Sequence, residues 1–479
     1  MTPSNLNLDA FAPEIWLTGA VLVTLLAAAF GRRRLATGLG GLLVTVALIS
    51  WWRLDPTAWA FGGDYGGDGV SYFARGFFLV VAGAMTVLVG NGDAVARRHS
   101  GEFLALMYMS VLGMMVMASA QNWMVIFLGL ETMSVPLYIL AAFYRHERAS
   151  VEAGVKYFVY GAFASAFFVY GIALLYNSAG TLHQLLLLES VPMDALATAG
   201  MLLIFVGLAF KIAAVPFHMW APDAYSGAPT IVTSFFAVAP KAAGFVALYR
   251  LVTLGYLQAG EAAISLIATL AVLTILAGNL WALAQHRLKR MLAYSSIAHA
   301  GYLLLAIMIT NRGGVPALLY YLVAYGMMTL GAFVVLLAFE RDGAAATYDD
   351  ISGGARRRPV LAMAMTVFMM SLAGFPMTAG FIGKLQIFRG LIETGHVTLV
   401  IVAVAGTLIS VGYYLRVIVC LYMRSGLDIP RAVTPRAWGP VAVILAVCVL
   451  YFGLFPESLW TTLETWSRLY GGTAVVSIP

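Results

Sequence analysis

Residues 201–220 read MLLIFVGLAFKIAAVPFHMW, a run of apolar residues interrupted by a single lysine, Lys211. About twenty such residues in a helix cross the roughly 30 Å hydrocarbon core of a bilayer. A charged side chain at that depth costs at least about 2.5 kcal/mol on insertion scales and usually marks a functional site. Pro216, five residues further on, interrupts the helix because proline has no amide hydrogen to donate. The stretch therefore predicts a broken membrane-spanning helix with an ionisable group beside the break.

The rest of the chain has the same apolar character. Of its 479 residues, 61% are hydrophobic and only 10% are charged, and the mean hydropathy is +0.88. Soluble domains carry roughly 25% charged residues, so this chain cannot form a water-facing surface of the usual kind. We predict an all-α polytopic membrane protein with about fourteen transmembrane helices. The predicted spans are 13–30, 35–52, 70–92, 102–120, 122–143, 152–176, 197–220, 228–252, 261–285, 290–311, 315–340, 359–393, 395–423 and 437–458.

Lysine and arginine are distributed unevenly among the loops that connect these spans. Seventeen of them lie in the odd-numbered connections, whereas the even-numbered connections and the two termini contain only three. Because cytoplasmic loops are the ones enriched in basic residues, we expect both termini to be periplasmic in a bacterial inner (plasma) membrane. The formal net charge of +6 is then a property of the basic loops and does not indicate nucleic-acid binding.

The sequence lacks the motifs that bind redox cofactors or nucleotides in other proteins. Its two cysteines, Cys420 and Cys448, lie in apolar stretches, and their spacing fits neither a disulfide framework nor an iron–sulfur cluster. It contains neither a glycine-rich dinucleotide fingerprint nor a phosphate-binding loop. We therefore expect no cofactor and no metal on this chain, so that any redox chemistry belongs to partner proteins.

A small set of ionisable residues lies inside the predicted spans. Lys211 and Lys241 are near the centres of their spans, where a purely structural lysine is a poor explanation. Burial favours the neutral amine and a nearby carboxylate favours the ammonium, so a buried lysine can be switched between holding and releasing a proton. Glu131 is the only acid near the centre of a span, and we expect it to pair directly with Lys211. The candidate proton-transfer residues are Glu131, Lys156, Lys211, Lys241, Lys384, His218 and His299.

Simpler interpretations exist for some of these charged and polar residues. Lys156 lies one helical turn from Glu152 and could form an ordinary ion pair near the membrane surface. Each of the two histidines, taken alone, is more simply explained as part of a packed core. Arg250 and Arg389 lie near the ends of their spans, where a long side chain reaches water by snorkelling.

Two further prolines repeat the pattern seen at Pro216. Pro240 lies beside Lys241, and Pro376 lies with Gly374 and Gly380 in the over-long stretch 359–393. Broken helices in corresponding halves are typical of inverted-repeat transporters, whose pathway lies near the bilayer midplane. Because the seventh and twelfth spans are five apart, we predict two inverted five-helix repeats, made of spans 4–8 and 9–13. The predicted division is an N-terminal three-helix segment (1–101), the first repeat (102–252), the second repeat (261–423), and a C-terminal helix and tail (424–479).

A family resemblance rests on five stretches of the sequence. They are FLGLETMSVPLYIL (127–140), VKYFVYGAFASAFFVYG (155–171), FKIAAVPFHMWAPDAYSGAP (210–229), KRMLAYSSIAHAGY (289–302) and SLAGFPMTAGFIGK (371–384). Together they resemble the antiporter-like membrane subunits of NADH–quinone oxidoreductase, respiratory complex I. The resemblance is strongest to the branch called subunit N, which is related to mitochondrial NADH dehydrogenase subunit 2. The combination is highly specific, although each stretch alone would be weak.

The resemblance implies a function, partners and residue roles. It implies a membrane-arm subunit that moves protons, driven by NADH oxidation and quinone reduction in partner subunits, which would bind NADH, FMN, iron–sulfur clusters and quinone. The partners would be other membrane and peripheral subunits of complex I, including neighbouring antiporter-like subunits, and the lipid bilayer. In that family a fifth-helix glutamate pairs with a seventh-helix lysine, an eighth-helix lysine relays the proton, and a charged twelfth-helix residue leads to the exit. The matching positions are Glu131, Lys211, Lys241 and Lys384 in that order, with Lys156 on the sixth helix and His218 and His299 on the central hydrated axis.

Two other functions fit parts of the pattern. A subunit of a multisubunit cation/proton antiporter would share the fold, but such relatives, like subunit M, usually carry glutamate where this chain has Lys384. Subunit L has lysine there but continues into a long lateral helix and another span, whereas only residues 459–479 follow the last predicted span here. A solute carrier or an inert scaffold explains a spaced row of intramembrane lysines less well.

Overall fold

The computed structural model describes residues 6–90, 99–190, 194–310, 313–340, 347–425 and 438–471, without the side chains of 188–190, 254–261 and 470–471. Nearly all of these residues are helical. A two-stranded antiparallel ribbon, β1 (Trp59–Ala60) with β2 (Tyr65–Gly66), lies between the second and third helices. The helices are α1 (Ala12–Ala29), α2 (Arg33–Trp52), α3 (Gly69–Gly90), α4 (Ser100–Ser119), α5 (Trp123–Ala141), α6 (Arg148–Ala179), α7 (Gln184–Ser190), α8 (Ala195–Lys211), α9 (Trp220–Gly227), α10 (Thr230–Leu283), α11 (Leu288–Met308), α12 (Val315–Phe339), α13 (Tyr348–Ile351), α14 (Gly354–Arg357), α15 (Pro359–Ala373), α16 (Ala379–Glu393), α17 (Val397–Met423), α18 (Trp438–Leu454) and α19 (Glu457–Gly471).

Most of the predicted spans are long helices. Within the described residues, eleven helical segments are long and apolar enough to cross a membrane, or twelve if α18 and α19 are counted as one bent span. α8 and α15 are apolar but shorter, because each is the first half of an interrupted stretch. The all-α polytopic membrane architecture predicted from the sequence is therefore confirmed at this level.

α10 is a single helical run that contains two of these membrane-crossing segments, Thr230–Thr253 and Ala262–Leu283. Lys241, in the first segment, donates a hydrogen bond to Ser296 of α11. Gly278, in the second, lies against Ala298 of the same helix. A straight helix would place Lys241 and Gly278 about 55 Å apart, whereas their partners are two residues apart. The run therefore folds back on itself between the two segments.

Two of the three predicted helix breaks are present. α8 ends at Lys211, and residues 212–219 form turns that include Pro216 before α9 begins. α15 ends at Ala373, where Gly374 adopts a left-handed conformation with φ 84°. Pro376 lies in the gap before α16, the helix that carries Lys384. Each break therefore lies on a helix pair that contains a buried lysine.

The break predicted at Pro240 is wrong, because α10 continues through this residue as a helix. Pro240 cannot donate to the carbonyl oxygen of Phe236, four residues earlier. The hydroxyl of Tyr225, on α9, donates to that carbonyl at 3.3 Å. A neighbouring helix thus replaces the missing backbone hydrogen bond, and proline is tolerated at membrane depth under that condition.

Arg250, near the end of the first segment of α10, makes a buried ion pair. The snorkelling expected from its position is wrong, since its side chain is only 1% exposed. Its guanidinium donates to Asp68 at 2.9 Å, to Ser71 at 2.6 Å and to the carbonyl oxygen of Ala118 at 2.7 Å. Asp68 precedes α3, so the network joins parts of the chain that are far apart in sequence, which span-by-span reading cannot detect.

A second buried arginine joins two of the N-terminal helices through an ion pair. Arg75 of α3 donates to both carboxylate oxygens of Glu14 on α1, at 2.7 and 2.6 Å, and to the carbonyl oxygen of Ala10. The hydroxyl of Tyr65 donates to the same carboxylate at 2.7 Å. The fork of the guanidinium matches the carboxylate in a bidentate geometry, so both charges are compensated although neither reaches water.

We expect Arg250→Ala to destabilise the protein by about 3–5 kcal/mol, since the Asp68 carboxylate would remain buried without its partner. Removing both charges, as in Arg250→Met with Asp68→Leu, should recover part of this loss because no uncompensated charge remains. Thermal unfolding of the detergent-solubilised protein measures both effects. Arg468→Ala, which breaks an exposed pair with Glu464, is the control and should change little. An unchanged unfolding midpoint in Arg250→Ala would contradict this assignment.

An amphipathic helix, α19, follows the last apolar segment and was not expected from the sequence. It turns by 80° from α18. Trp466 packs on Tyr72 of α3 with ring centroids 5.3 Å apart, and Trp460 packs on Tyr320 of α12 at 6.1 Å. The carbonyl of Trp466 occupies the space in which any side chain at Gly69 would lie, so the contact requires glycine there. α19 therefore joins the N-terminal helices to the second half of the chain.

The loop residues on which the orientation depends are described only in part. Six of them lie outside the described residues: Arg97, Arg98, Arg312, Arg341, Arg431 and Arg436. Lys289, which the sequence assigns to a loop, is instead buried in the first turn of α11. Its ammonium donates to the carbonyl oxygen of Ala228 at 2.6 Å. The long side chain reaches inward from the helix start, and composition alone does not show that direction.

Candidate functional site

Lys211, the last residue of α8, is buried in the protein interior. Its ammonium donates to Ser134 Oγ on α5 at 2.9 Å and to Tyr157 Oη on α6 at 3.3 Å. It also lies 5.5 Å from the centre of the Tyr157 ring, within the range of a cation–π contact. Two hydroxyls and an aromatic face therefore surround the ammonium group.

Glu131 lies one helical turn before Ser134 on α5. Its carboxylate accepts a hydrogen bond from Ser165 of α6. The direct contact expected between Glu131 and Lys211 is not made, since the hydrogen bonds of Lys211 go to hydroxyls. The carboxylate nevertheless lies within electrostatic range of the ammonium, so it can influence the charge on Lys211 without touching it.

Lys241 lies in the middle of the first segment of α10 and is fully enclosed. Its ammonium donates to the carbonyl oxygen of Ser296 on α11 at 2.5 Å and also to the Ser296 hydroxyl. The ring of Tyr325, on α12, lies 5.6 Å from the ammonium. Gly244, one turn after Lys241, lies against the side chain of Lys211. The side chain of Lys211 therefore packs against α10 within one turn of Lys241.

His299 lies one turn after Ser296 on α11 and is buried among tyrosines. Its Nδ1 shares a hydrogen bond with Tyr321 Oη at 2.6 Å, and its Nε2 is 3.2 Å from Tyr414 Oη. The rings of Tyr325 and Tyr302 lie 5.3 and 5.9 Å from the imidazole. Both imidazole nitrogens thus have hydroxyl partners, and a hydroxyl can either donate to or accept from such a nitrogen.

Lys384 lies in α16 on the far side of the His299 cluster and is buried. Its ammonium donates to the carbonyl oxygen of Leu372, in α15, at 3.1 Å, so the lysine spans the helix break. The ring of Tyr302 lies 4.8 Å from the ammonium. Tyr302 in turn shares a hydrogen bond with Thr407 at 3.0 Å. Since Tyr302 also contacts His299, one aromatic residue separates the histidine from the lysine.

These residues follow one another through the apolar interior as a row of polar and aromatic side chains. From the first half of the chain to the second it contains Glu131, Ser134, Lys211, Lys241, Ser296, Tyr325, His299, Tyr302 and Lys384, and we call it the lysine row. Its ionisable members are separated by hydroxyls and aromatic rings. A row of this kind can pass protons between neighbouring groups, provided that small movements or water close the gaps.

Two predicted site residues lie outside the lysine row. Lys156 is 39% exposed and pairs with Glu152 at 2.8 Å and with Asp223 at 2.9 Å, so the surface ion pair considered above is present. Asp223, which the sequence analysis did not single out, also binds Arg290 at 3.2 Å. His218 stacks on Trp281 with ring centroids 5.0 Å apart, and its Nδ1 has no hydrogen-bond partner among the described residues.

The hydroxyl-bearing members of the lysine row were not predicted from the sequence. In KRMLAYSSIAHAGY, Ser296, His299 and Tyr302 recur at intervals of three residues, which places them along one side of α11. That spacing was a usable signal for a polar face. The described residues contain no group of three or more His, Cys, Asp or Glu side chains suited to a metal.

Comparison with known protein families identifies this arrangement. The family described as NADH:quinone oxidoreductase/Mrp antiporter, transmembrane, matches residues 120–410, which include every member of the lysine row. The chain belongs to this family. The resemblance drawn above from five sequence stretches is therefore confirmed, and membership of this family also explains why two kinds of membrane complex share the fold.

Individual relatives agree with the family assignment. The chain is 40% identical over 433 residues to NADH-quinone oxidoreductase subunit N of Trichlorobacter lovleyi, covering 88% of this chain and 89% of the relative. Among solved structures, a chain of respiratory complex I from Thermus thermophilus with bound aureothin superposes with a TM-score of 0.82 at 34% identity, covering 94% of this chain and 99% of that one. A chain of the Mrp complex from Dietzia sp. DQ12-45-1b superposes with a TM-score of 0.86 at 20% identity, over 98% of each chain, which shows a common fold.

Proposed function

We propose that this chain is subunit N of an NADH–quinone oxidoreductase and moves protons across the bacterial inner membrane. The observation that carries the proposal is the lysine row, in which three buried lysines lie among hydroxyls, aromatic rings and a histidine. The family to which the chain belongs, and its 40% identity to a subunit N, support the same function. The driving energy would come from NADH oxidation and quinone reduction in partner subunits.

Each ionisable member of the row has a proposed role in proton transfer. When Glu131 and Lys211 approach each other, the carboxylate stabilises the protonated form of the lysine. When they separate, that form is no longer stabilised and Lys211 releases its proton. Lys241 receives the proton from Lys211 or from the basic face, which is the side of the membrane with the basic loops. His299 passes it on, since both of its ring nitrogens have hydroxyl partners. Lys384 delivers the proton toward the opposite side. Each amine would return to its starting state in every cycle.

The finer architecture is part of this proposal. We infer fourteen transmembrane helices, two inverted five-helix repeats within 102–252 and 261–423, an N-terminal segment (1–101), a C-terminal helix and tail (424–479), and periplasmic termini. The equivalent positions of the α8 and α15 breaks, five predicted spans apart, support the repeats. His218 and Lys156 lie beside the row, and we assign both to the cytoplasmic approach to it. Lys156 and Arg290 both bind Asp223, and Arg290 belongs to a basic connection between predicted spans.

The redox groups would be bound by other subunits. We propose that NADH, FMN, the iron–sulfur clusters and quinone are bound by partner subunits, and that this chain contacts neighbouring antiporter-like subunits in the membrane. A cation/proton antiporter subunit is the second candidate, because a chain of the Mrp complex shares the fold. Lys384 argues against it, since such subunits usually carry glutamate at the corresponding position.

A deletion strain distinguishes the two candidates. We expect membrane vesicles from a strain lacking this chain to lose NADH-driven proton uptake, because the coupled complex would lack one of its proton routes, and a copy of the gene should restore it. The measurement is acidification of inverted vesicles after adding NADH, compared with acidification driven by a sodium or potassium gradient. Cation-driven proton exchange that depends on this chain, with NADH-driven uptake intact, would establish the antiporter function instead.

A further inference from the structure

Two buried hydroxyls lie close to Lys241. Tyr325 Oη and Thr329 Oγ1 are one turn apart on α12, and neither has a hydrogen-bond partner among the residues that the structure describes. Both side chains are more than nine-tenths buried. Buried polar atoms nearly always have a partner, either a protein group or an ordered water molecule, and a buried water typically makes about three such bonds. Two unpartnered hydroxyls side by side therefore indicate a water-binding position.

The position of this hydroxyl pair relates it directly to the lysine row. The Tyr325 ring lies against both Lys241 and His299. Ser296, one turn before His299 on α11, binds the Lys241 ammonium. A water molecule bound by Tyr325 and Thr329 would thus lie next to Lys241 and its partner.

Two charged residues, Lys289 and Glu340, lie on the same side of Lys241 as Thr329, and we call this region the polar mouth. Lys289 binds the carbonyl oxygen of Ala228, and Glu340 accepts a hydrogen bond from Thr230, so both charged residues contact the start of α10. Lys289 lies seven residues before Ser296 on α11, about 10 Å along the helix. Glu340 lies eleven residues after Thr329, three turns further along the chain and on the same side. The hydroxyl pair therefore lies between this mouth and Lys241.

Charged residues of the protein surface lie near the mouth. Glu147 lies within electrostatic range of Lys289. With His99, Glu102 and His146 it lines a surface cavity of about 520 Å³ next to the end of α5. Charged and polar side chains thus line the protein surface outside the mouth.

We propose that the hydroxyls of Tyr325 and Thr329 hold the water through which protons from the basic face reach Lys241. This proposal deepens the proposed function and rests on it. A proton arriving from the mouth adds to this water, and a different proton leaves the water for the neutral amine of Lys241. The water and both hydroxyls are then restored, and Lys241 carries the charge toward His299. Tyr325 and Thr329 are positioning residues, since they act through the water they bind.

The test removes each hydroxyl with little change in shape. In the assembled complex, Tyr325→Phe and Thr329→Val should each reduce NADH-driven proton uptake by roughly tenfold, because positioned proton-transfer groups contribute about 100-fold or more to the step they serve. Both variants should also show a larger deuterium solvent isotope effect, since proton delivery becomes rate-limiting. Thr329→Ser keeps the hydroxyl and should retain most of the activity. Tyr320→Phe, on the same helix but bonded to the carbonyl oxygen of Phe452, is the matched control.

If the hydroxyls of Tyr325 and Thr329 have only a structural role, the opposite result is expected. Removing an unpartnered buried hydroxyl should then be neutral or stabilising, with uptake and isotope effect unchanged, and that result would overturn the inference. If Tyr325→Phe does not assemble, the comparison of Thr329→Val with Thr329→Ser tests the same point. Lys241→Ala is measured in parallel. Loss of uptake in Lys241→Ala with normal uptake in the hydroxyl variants would reject this inference alone, whereas normal uptake in Lys241→Ala would reject the proposed function.

Discussion

Lys211→Ala and Lys241→Ala are each expected to reduce NADH-driven proton uptake by about tenfold or more, because alanine carries no titratable group and breaks the row at its centre. Lys211→Ala also leaves Ser134 and Tyr157 without the ammonium that they bind. Coupled quinone reduction should fall with uptake, since a blocked proton step opposes turnover of the whole complex.

The measurement is acidification of inverted vesicles at matched amounts of assembled complex. Assembly must be quantified on native gels, because replacing a buried side chain also affects folding. Arg389→Ala removes a basic residue from the same membrane region, but that residue is 71% exposed and pairs with Glu393, so uptake should remain near the unmodified level. Near-normal uptake by both lysine variants in a fully assembled complex would show that the lysine row does not carry protons.

Much of this site could be predicted from the sequence, because its main feature is a lysine within an apolar membrane-spanning stretch. A lysine in the middle of twenty apolar residues must be enclosed by protein, and Lys211, Lys241 and Lys384 are all buried as expected. Helix breaks at Pro216 and Pro376 were predictable from the chemistry of proline. Pro240 was not, because its missing hydrogen bond is replaced by Tyr225, fifteen residues away on another helix.

The remaining features depend on contacts between distant parts of the chain. Arg250 binds Asp68, which lies in the loop before α3, 182 residues away in the sequence. The path of that loop decides whether Arg250 binds this carboxylate or extends to water. The partners of Lys211 and Lys241 are serines and tyrosines on other helices, and single residues of these types carry no signal of their own. Lys156 lies in an apolar stretch, as a buried site residue would, but near the start of α6 it is partly exposed at the surface.

Arginine and lysine have separate uses inside this protein. Arg75 donates two hydrogen bonds to the Glu14 carboxylate, and Arg250 donates one to the Asp68 carboxylate. Within the described residues, the lysines of the row instead donate to hydroxyls and backbone carbonyls. Arginine keeps its proton at any working pH, whereas a buried lysine can release it. A neutral partner allows that release without leaving an unpaired carboxylate behind, so the partner choice fits a mobile proton.

Lys384→Arg and Lys384→Glu are expected to separate a proton carrier from a fixed charge, with arginine the more damaging change. Arginine cannot release its proton, so Lys384→Arg should lower uptake by about tenfold or more if this residue must release a proton in every cycle. Glutamate can titrate, and in its neutral form its hydroxyl can donate to the carbonyl oxygen of Leu372 that Lys384 now binds. Lys384→Glu should therefore retain measurable uptake.

The opposite order follows if Lys384 is a structural cation. Its charge would then neutralise a fixed partner, so arginine would be tolerated and glutamate would not. The structure favours the carrier, because the ammonium binds a carbonyl and the face of Tyr302, and neither is an anion that needs neutralising. The break at Gly374 leaves the backbone beside Lys384 outside a regular helix, where water can approach. Uptake is measured for both variants alongside Arg389→Ala, and full uptake with arginine but none with glutamate would assign Lys384 a purely structural charge.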